Sequence, residues 1–185
     1  MITNIVVIPK RWEDVQIGEL GGPFDAVIAS FSLTMTDIGE ALAKMQTCSR
    51  GTVHLFWFLT PPAWVRVNKD LWHHLHGGRF PGEPTAEWLW QVLYEMGIYA
   101  NLTAEPGFPP ARYANLQEAV DEFRERLNCT TPAHEEIVRN YFRTALWQDG
   151  DLLVLGNGTR VAHIWWSAAE QAHRQTADCN IEKNW

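Results

Sequence analysis

Apolar runs of strand length alternate with amphipathic stretches of helix length along most of this chain, and that alternation leaves few folds open. Strand followed by helix followed by strand implies parallel pairing through right-handed crossovers, hence an α/β sheet with helices on both faces. The helices have readable ends. Thr34 with Asp37 three residues on makes a capping-box pattern, after which Ile38, Ala41, Leu42 and Met45 recur on one face until Gly51. A second helix opens at Thr85 after Pro84, buries Leu89, Val92, Leu93 and Met96, and stops at Gly97, where the strand-like IYANLTAE follows. Asn115 with Glu118 caps a third, carrying Leu116, Val120, Phe123 and Leu127, and Thr131-Pro132 opens a fourth through Tyr141 and Leu146. LLVL and RVAHIWW, on either side of Gly156-Asn157-Gly158, predict an antiparallel C-terminal hairpin.

Composition narrows the function classes. With 185 residues and 46% hydrophobic content the chain can bury a full core, which sets the expectation of one domain over residues 1–166 and a polar tail over 167–185. A net charge of -7, without a long run of one sign, lacks the basic footprint of a nucleic-acid binder. The apolar stretches are too short to span a bilayer and no signal-peptide pattern opens the chain, so no membrane role and a cytoplasmic location are expected. Cys48, Cys129 and Cys179 are widely spaced and read as reduced thiols, and the three Asn-x-Thr sequons at Asn101, Asn128 and Asn157 read as chance matches.

Three stretches in order carry a family resemblance: NIVVIPKRWEDV from Asn4, FDAVIASFSLTMTD from Phe24 and GTVHLFWF from Gly51. Together they resemble class I S-adenosylmethionine-dependent methyltransferases from their third strand onward, over residues 4–105 and again near 151–166. The resemblance implies a partial Rossmann-like sheet, mostly parallel, with S-adenosylmethionine as cofactor and methyl transfer to a small-molecule acceptor as activity. It implies that a carboxylate in the turn after the third strand, Glu13 or Asp14, accepts from the adenine amino group, with Trp12 flanking the ring. It also implies that an antiparallel seventh strand, RVAHIWW here, inserts beside the fifth. The family's first strand, its Gly-rich turn and the acidic residue ending its second strand have no counterpart in this sequence. The expectation is therefore of a C-terminal portion whose cofactor site is completed by an upstream segment, a partner subunit or a homodimer. Residues 24–30 are apolar along both faces, as in a central strand, and exposing about 400 Å² of apolar surface there costs on the order of 10 kcal/mol.

Ligands of open α/β sheets bind beyond the carboxyl ends of the strands, which places Ser30 and Phe31 in the cofactor cleft; the rival reading is a plain strand-to-helix connection. The segment 60–84 is expected as an insert over the substrate, with Trp64, Trp72 and His76 forming an aromatic and imidazole pocket. A short amphipathic helix from Lys69 to Leu75 is its plainer description. Methyl transfer needs chiefly an acceptor held in line, so no catalytic acid or base is singled out, although a His can take a departing proton. His73, His74 and His76 lack the spacing that puts two imidazoles on one helix face, and no metal is expected. No Gly-x-Ser-x-Gly elbow supports a hydrolase. The alternative to an enzyme is a cofactor-free, methyltransferase-like interaction or regulatory subunit.

Overall fold

The computed structural model describes residues 4–82 and 84–171, and the protein is a mixed α/β chain. It divides into two compact units, one built from segments 1–57, 88–103 and 163–185 and the other from 58–87 and 104–162.

The first unit holds most of a four-stranded sheet whose order is β1-β2-β7-β3, with β1 at Phe24–Ser30, β2 at Ser49–Phe58, β3 at Asn101–Pro106 and β7 at Arg160–Ser167. β1 and β2 pair in parallel, Ala26 opposite Thr52 and Ser30 opposite Phe56, and helix α1, Ile38–Cys48, makes the crossover between them. Alternation along β2 sends Val53, Leu55 and Trp57 into the core while Thr52, His54, Phe56 and Phe58 stay half-buried on the opposite face. Leu42 and Met45 of α1 are buried, and the helix is tied down further where Gln46 Nε2 donates to the Ala168 carbonyl and Trp166 Nε1 donates to Gln46 Oε1. RVAHIWW forms β7 and lies beside β2, as the resemblance implies for a seventh strand.

Two expectations for this unit change. Residues 4–9 are not a strand: Ile5, Val6 and Val7 are exposed, and the chain passes into 3-10 turns at Trp12–Asp14 and Ile17–Glu19. An apolar run pairs only where a neighbouring strand offers unpaired backbone groups, and propensity alone does not supply one. The cap of α1 is Asp37, whose carboxylate accepts from Glu40 N at 2.8 Å, rather than Thr34 three residues earlier. Asp and Thr cap almost equally well, so the pattern did not discriminate between them.

The second unit has its own core. Helices α2 (Ala63–His76), α4 (Leu116–Arg126) and α5 (Pro132–Ala145) bury Val67, Leu71, Phe123, Val138 and Phe142 against one another. Residues 60–84, expected as an insert over the substrate, thus contain a helix twice the length foreseen, with Val67, Leu71 and Leu75 inside this core. A three-stranded antiparallel sheet of order β4-β6-β5 joins them, with β4 at Ala111–Tyr113, β5 at Leu146–Asp149 and β6 at Leu152–Leu155. The antiparallel hairpin near the C-terminus is therefore β5–β6, turning at Gly150, and not LLVL with RVAHIWW, since β6 and β7 belong to different sheets. Gly156 and Gly158, both at positive φ, turn the chain from one sheet to the other. Helix α3, Ala86–Glu95, which belongs to the first unit from Trp88 onward, is as expected in extent and buries Leu89 and Leu93. Of the tail expected over 167–185, residues 172–185 lie outside the described residues.

Candidate functional site

A cleft of about 520 Å³ opens in the first unit where β1 ends. Its walls are Val27, Ile28 and Ala29 of β1, Ser32 and Thr34 to Thr36 of the connection into α1, Met45 of α1, and Arg11, Trp12 and Glu13 of the first 3-10 turn. The position follows from the fold, because the carboxyl end of a parallel strand and the turn beside it leave a crevice that the following helix cannot fill. Phe31 sharpens the exit: it sits at φ 50°, a left-handed conformation rare outside glycine, and its N–H donates to the Phe56 carbonyl at 3.1 Å.

The turn carrying Trp12 and Glu13 is held by α1. Lys44 Nζ donates to the carbonyls of Trp12, Glu13 and Val15 at 2.9, 3.0 and 3.2 Å, and Trp12 Nε1 donates to the Ala41 carbonyl at 3.3 Å. The Lys44 ammonium also lies 5.5 Å from the Trp12 ring centroid, a cation–π distance. Trp12 therefore presents a fixed ring whose polar edge is already satisfied, while the Glu13 side chain is exposed at the cleft. Lys44 went unnoticed in the sequence because its partners lie about thirty positions away and helix periodicity does not register such contacts.

The sequence-derived cofactor residues are only partly brought together. Trp12 and Glu13 share the cleft with the residues flanking position 30, but the lining does not take in Ser30, which is exposed, or Phe31, whose ring packs at 6.3 Å from that of Trp57. Ser32 and Thr34, the latter expected only as a helix cap, line the cleft.

The second unit holds a separate cavity of about 300 Å³ bounded by α2, α4, β4 and the turn after β6. Its lining is apolar apart from Glu122, Tyr113 and Thr159. Tyr113 Oη donates to Glu122 Oε2 at 3.0 Å, and burial together with that carboxylate raises the phenol well above its ordinary value, so it stays protonated. Trp64 lines this cavity, whereas Trp72 and His76 do not: their rings pack against each other, tilted, with centroids 4.6 Å apart, and His76 Nε2 donates to the Leu127 carbonyl at 2.9 Å. The three expected substrate residues fall in one helix but not in one pocket, because Trp64 lies two turns before Trp72.

Among the described residues, no group of three or more His, Cys, Asp or Glu side chains is placed to hold a metal ion, and no helix is long and apolar enough to cross a membrane. Cys48 and Cys129 are free thiols whose burial raises them above the ordinary thiol range, which makes them poor nucleophiles. Cys179 lies outside the described residues.

No family model and no curated protein matches the chain. A solved structure from Bacillus halodurans C-125, provisionally assigned as a methyltransferase, is similar over 78% of this chain at 9% identity and a TM-score of 0.43. The chain spans 64% of that neighbour's length.

Proposed function

We propose that the cleft at the end of β1 binds S-adenosylmethionine and that the protein takes part in methyl transfer to a small-molecule acceptor. The observation that carries this reading is the convergence of Trp12 and Glu13 with the carboxyl end of β1 on one cleft, the arrangement the resemblance implies. The donor set suits the adenosine end of the cofactor. A flat indole face and the Met35 and Met45 side chains offer apolar surface, the Glu13 carboxylate is an acceptor for an amino group, and the Ser32, Thr34 and Thr36 hydroxyls can serve a ribose. The volume falls within the roughly 300–1,000 Å³ usual for small-molecule sites. No glycine-rich strand-turn-helix accompanies the cleft among the described residues, so the methionine end requires groups from outside them.

The cofactor's contribution is an electrophilic methyl group. The part of this chain is to bind and orient: Lys44 fixes the turn that carries Trp12 and Glu13, and α1 fixes Lys44. No acid or base at the cleft is required by such a role. A cofactor-free regulatory subunit remains the second reading, favoured by the position of β1 at a sheet edge, where a partner strand can add.

Isothermal titration of S-adenosylhomocysteine into the purified chain, with its mass in solution measured in parallel, separates them. Micromolar binding weakened about tenfold by Glu13→Gln, the loss of one charge-assisted hydrogen bond, is the expected outcome. A folded chain that does not bind leaves two readings, an enzyme whose cofactor site is completed by groups outside this chain and the regulatory subunit.

A further inference from the structure

The cavity of the second unit has a chemistry of its own. Five aromatic rings face it, those of Phe58, Trp64, Phe108, Tyr113 and Phe123, and the one charged side chain in its lining is Glu122. No Lys, Arg or His belongs to that lining. An anion entering here would meet ring faces, which carry partial negative charge, and a carboxylate; a cation would be attracted by both.

The carboxylate is oriented but not saturated. Glu122 Oε2 accepts from Tyr113, and Oε1 accepts a long hydrogen bond from Arg126 Nη2 at 3.4 Å, in an ion pair whose members are 44% and 40% exposed, so water screens it. A carboxylate has about four acceptor positions, which leaves room for a further donor. Arg126 lies with its guanidinium 5.2 Å from the Trp64 centroid and 5.8 Å from that of Phe123, so those rings already engage one cation. The raised phenol of Tyr113 keeps its proton and goes on donating to Glu122. A volume of about 300 Å³ admits one ring with a short arm and little more.

We infer that this cavity binds a small protonated amine, its ring or alkyl part among Phe58, Trp64, Phe108 and Phe123 and its ammonium on Glu122. It is an inference about a binding site of the second unit and stands without the methyl-transfer reading.

The test is a cofactor-free titration of the whole chain with three ligands of one shape: phenethylamine, phenethyl alcohol and hydrocinnamate. The amine should bind at least about tenfold tighter than the alcohol, the increment of one charge-assisted contact, and hydrocinnamate should not bind. Glu122→Gln should abolish the preference for amine over alcohol while the melting temperature holds, and Tyr113→Phe should reduce it. Equal binding of amine and alcohol, binding of hydrocinnamate, no binding of any of the three, or an unchanged preference in Glu122→Gln would each overturn the inference. The wild-type ligand series decides by itself should the variant fold poorly. Because no cofactor is present, failure here is distinct from failure of the S-adenosylhomocysteine titration, which reads the other unit.

Discussion

Lys44 donates to three main-chain carbonyls, and the exposed turn at Trp12–Asp14 otherwise buries no residue. A partly exposed charged donor of this kind is worth about 2 kcal/mol, so Lys44→Met should lower stability by about that amount in a denaturant titration and weaken S-adenosylhomocysteine binding without touching the ligand. The glycine pair after β6 gives a second prediction. Gly158 sits at φ +80°, and a Cβ there would lie 2.8 Å from the Phe108 carbonyl. Gly158→Ala should therefore cost more than the roughly 1–2 kcal/mol of left-handed strain alone, visible as a lowered melting temperature, and should distort the amine cavity that Gly158 and Phe108 both line. The residue scale is also where the sequence was least legible. Trp12 and Glu13 were found through a family resemblance that supplies roles. Glu122 was missed because a glutamate on an amphipathic helix normally belongs to its solvated face, and only the fold brings Tyr113, on a three-residue strand, against it.

Elements with strong local signals were legible. Asn115 Oδ1 accepts from Glu118 N at 3.0 Å and Thr131 Oγ1 from His134 N at 3.2 Å, so α4 and α5 start where their caps predict. Thr131→Ala should remove about 1 kcal/mol of stability, measured by chemical denaturation, whereas the same change at Thr34, which caps nothing, should leave stability nearly unchanged. The strands β4 and β5, three and four residues long, carry too little alternation to be seen, and Leu146 reads as the last turn of α5 until β6 pairs with it. Pairing across β2 and β7 adds a pH dependence that no local pattern shows. His54 Nδ1 lies 2.9 Å from His163 Nε2, Thr52 Oγ1 closes the other side at 3.0 Å, and the His163 ring stacks on Phe56 at 4.4 Å. Burial, then the neighbouring imidazole, lowers His54 below its ordinary 6.5. A histidine depressed in the folded state binds fewer protons there than when unfolded, so its stabilising contribution is complete above about pH 6.5 and is lost as pH falls toward the folded value. Thermal stability should drop through that window, and His54→Gln should flatten the drop; an equal slope in the variant would dismiss the pair as its source.

At the scale of the molecule, each of the two units buries its own apolar side chains, but among the described residues β1 stands at an edge of the first unit's sheet with one side unpaired. β1 is apolar over Ala26–Ala29, yet it stands at the edge with Phe24 39% and Ile28 66% exposed, while Asp25, paired with Arg50, and a register irregularity between Phe24 and Ala26 guard only its start. Exposed apolar edge strands template pairing with further chains unless charge or a bulge blocks them. The opposing factor is the net charge of -7, which repels like copies at a range that salt shortens to about 10 Å at 0.1 M. Two dependences follow together. In sedimentation velocity the apparent mass should rise with protein concentration, and should rise further with added salt, because screening removes the repulsion while leaving the apolar edge attractive. Placing a charge on the edge with Ile28→Lys should suppress both trends, as edge lysines do in native sheets. Association that weakens with salt would instead identify ion pairs as its cause, and association indifferent to Ile28→Lys would place the contact away from β1. Since Ile28 also lines the proposed cofactor cleft, a chain kept monomeric by a lysine at that position also shows whether S-adenosylhomocysteine binding needs the second copy: the comparison is with Phe24→Lys, on the same strand but outside the cleft lining. Binding that disappears in both variants along with association would mean that the cleft is completed by the partner copy, whereas binding retained in monomeric Phe24→Lys would mean that one chain suffices.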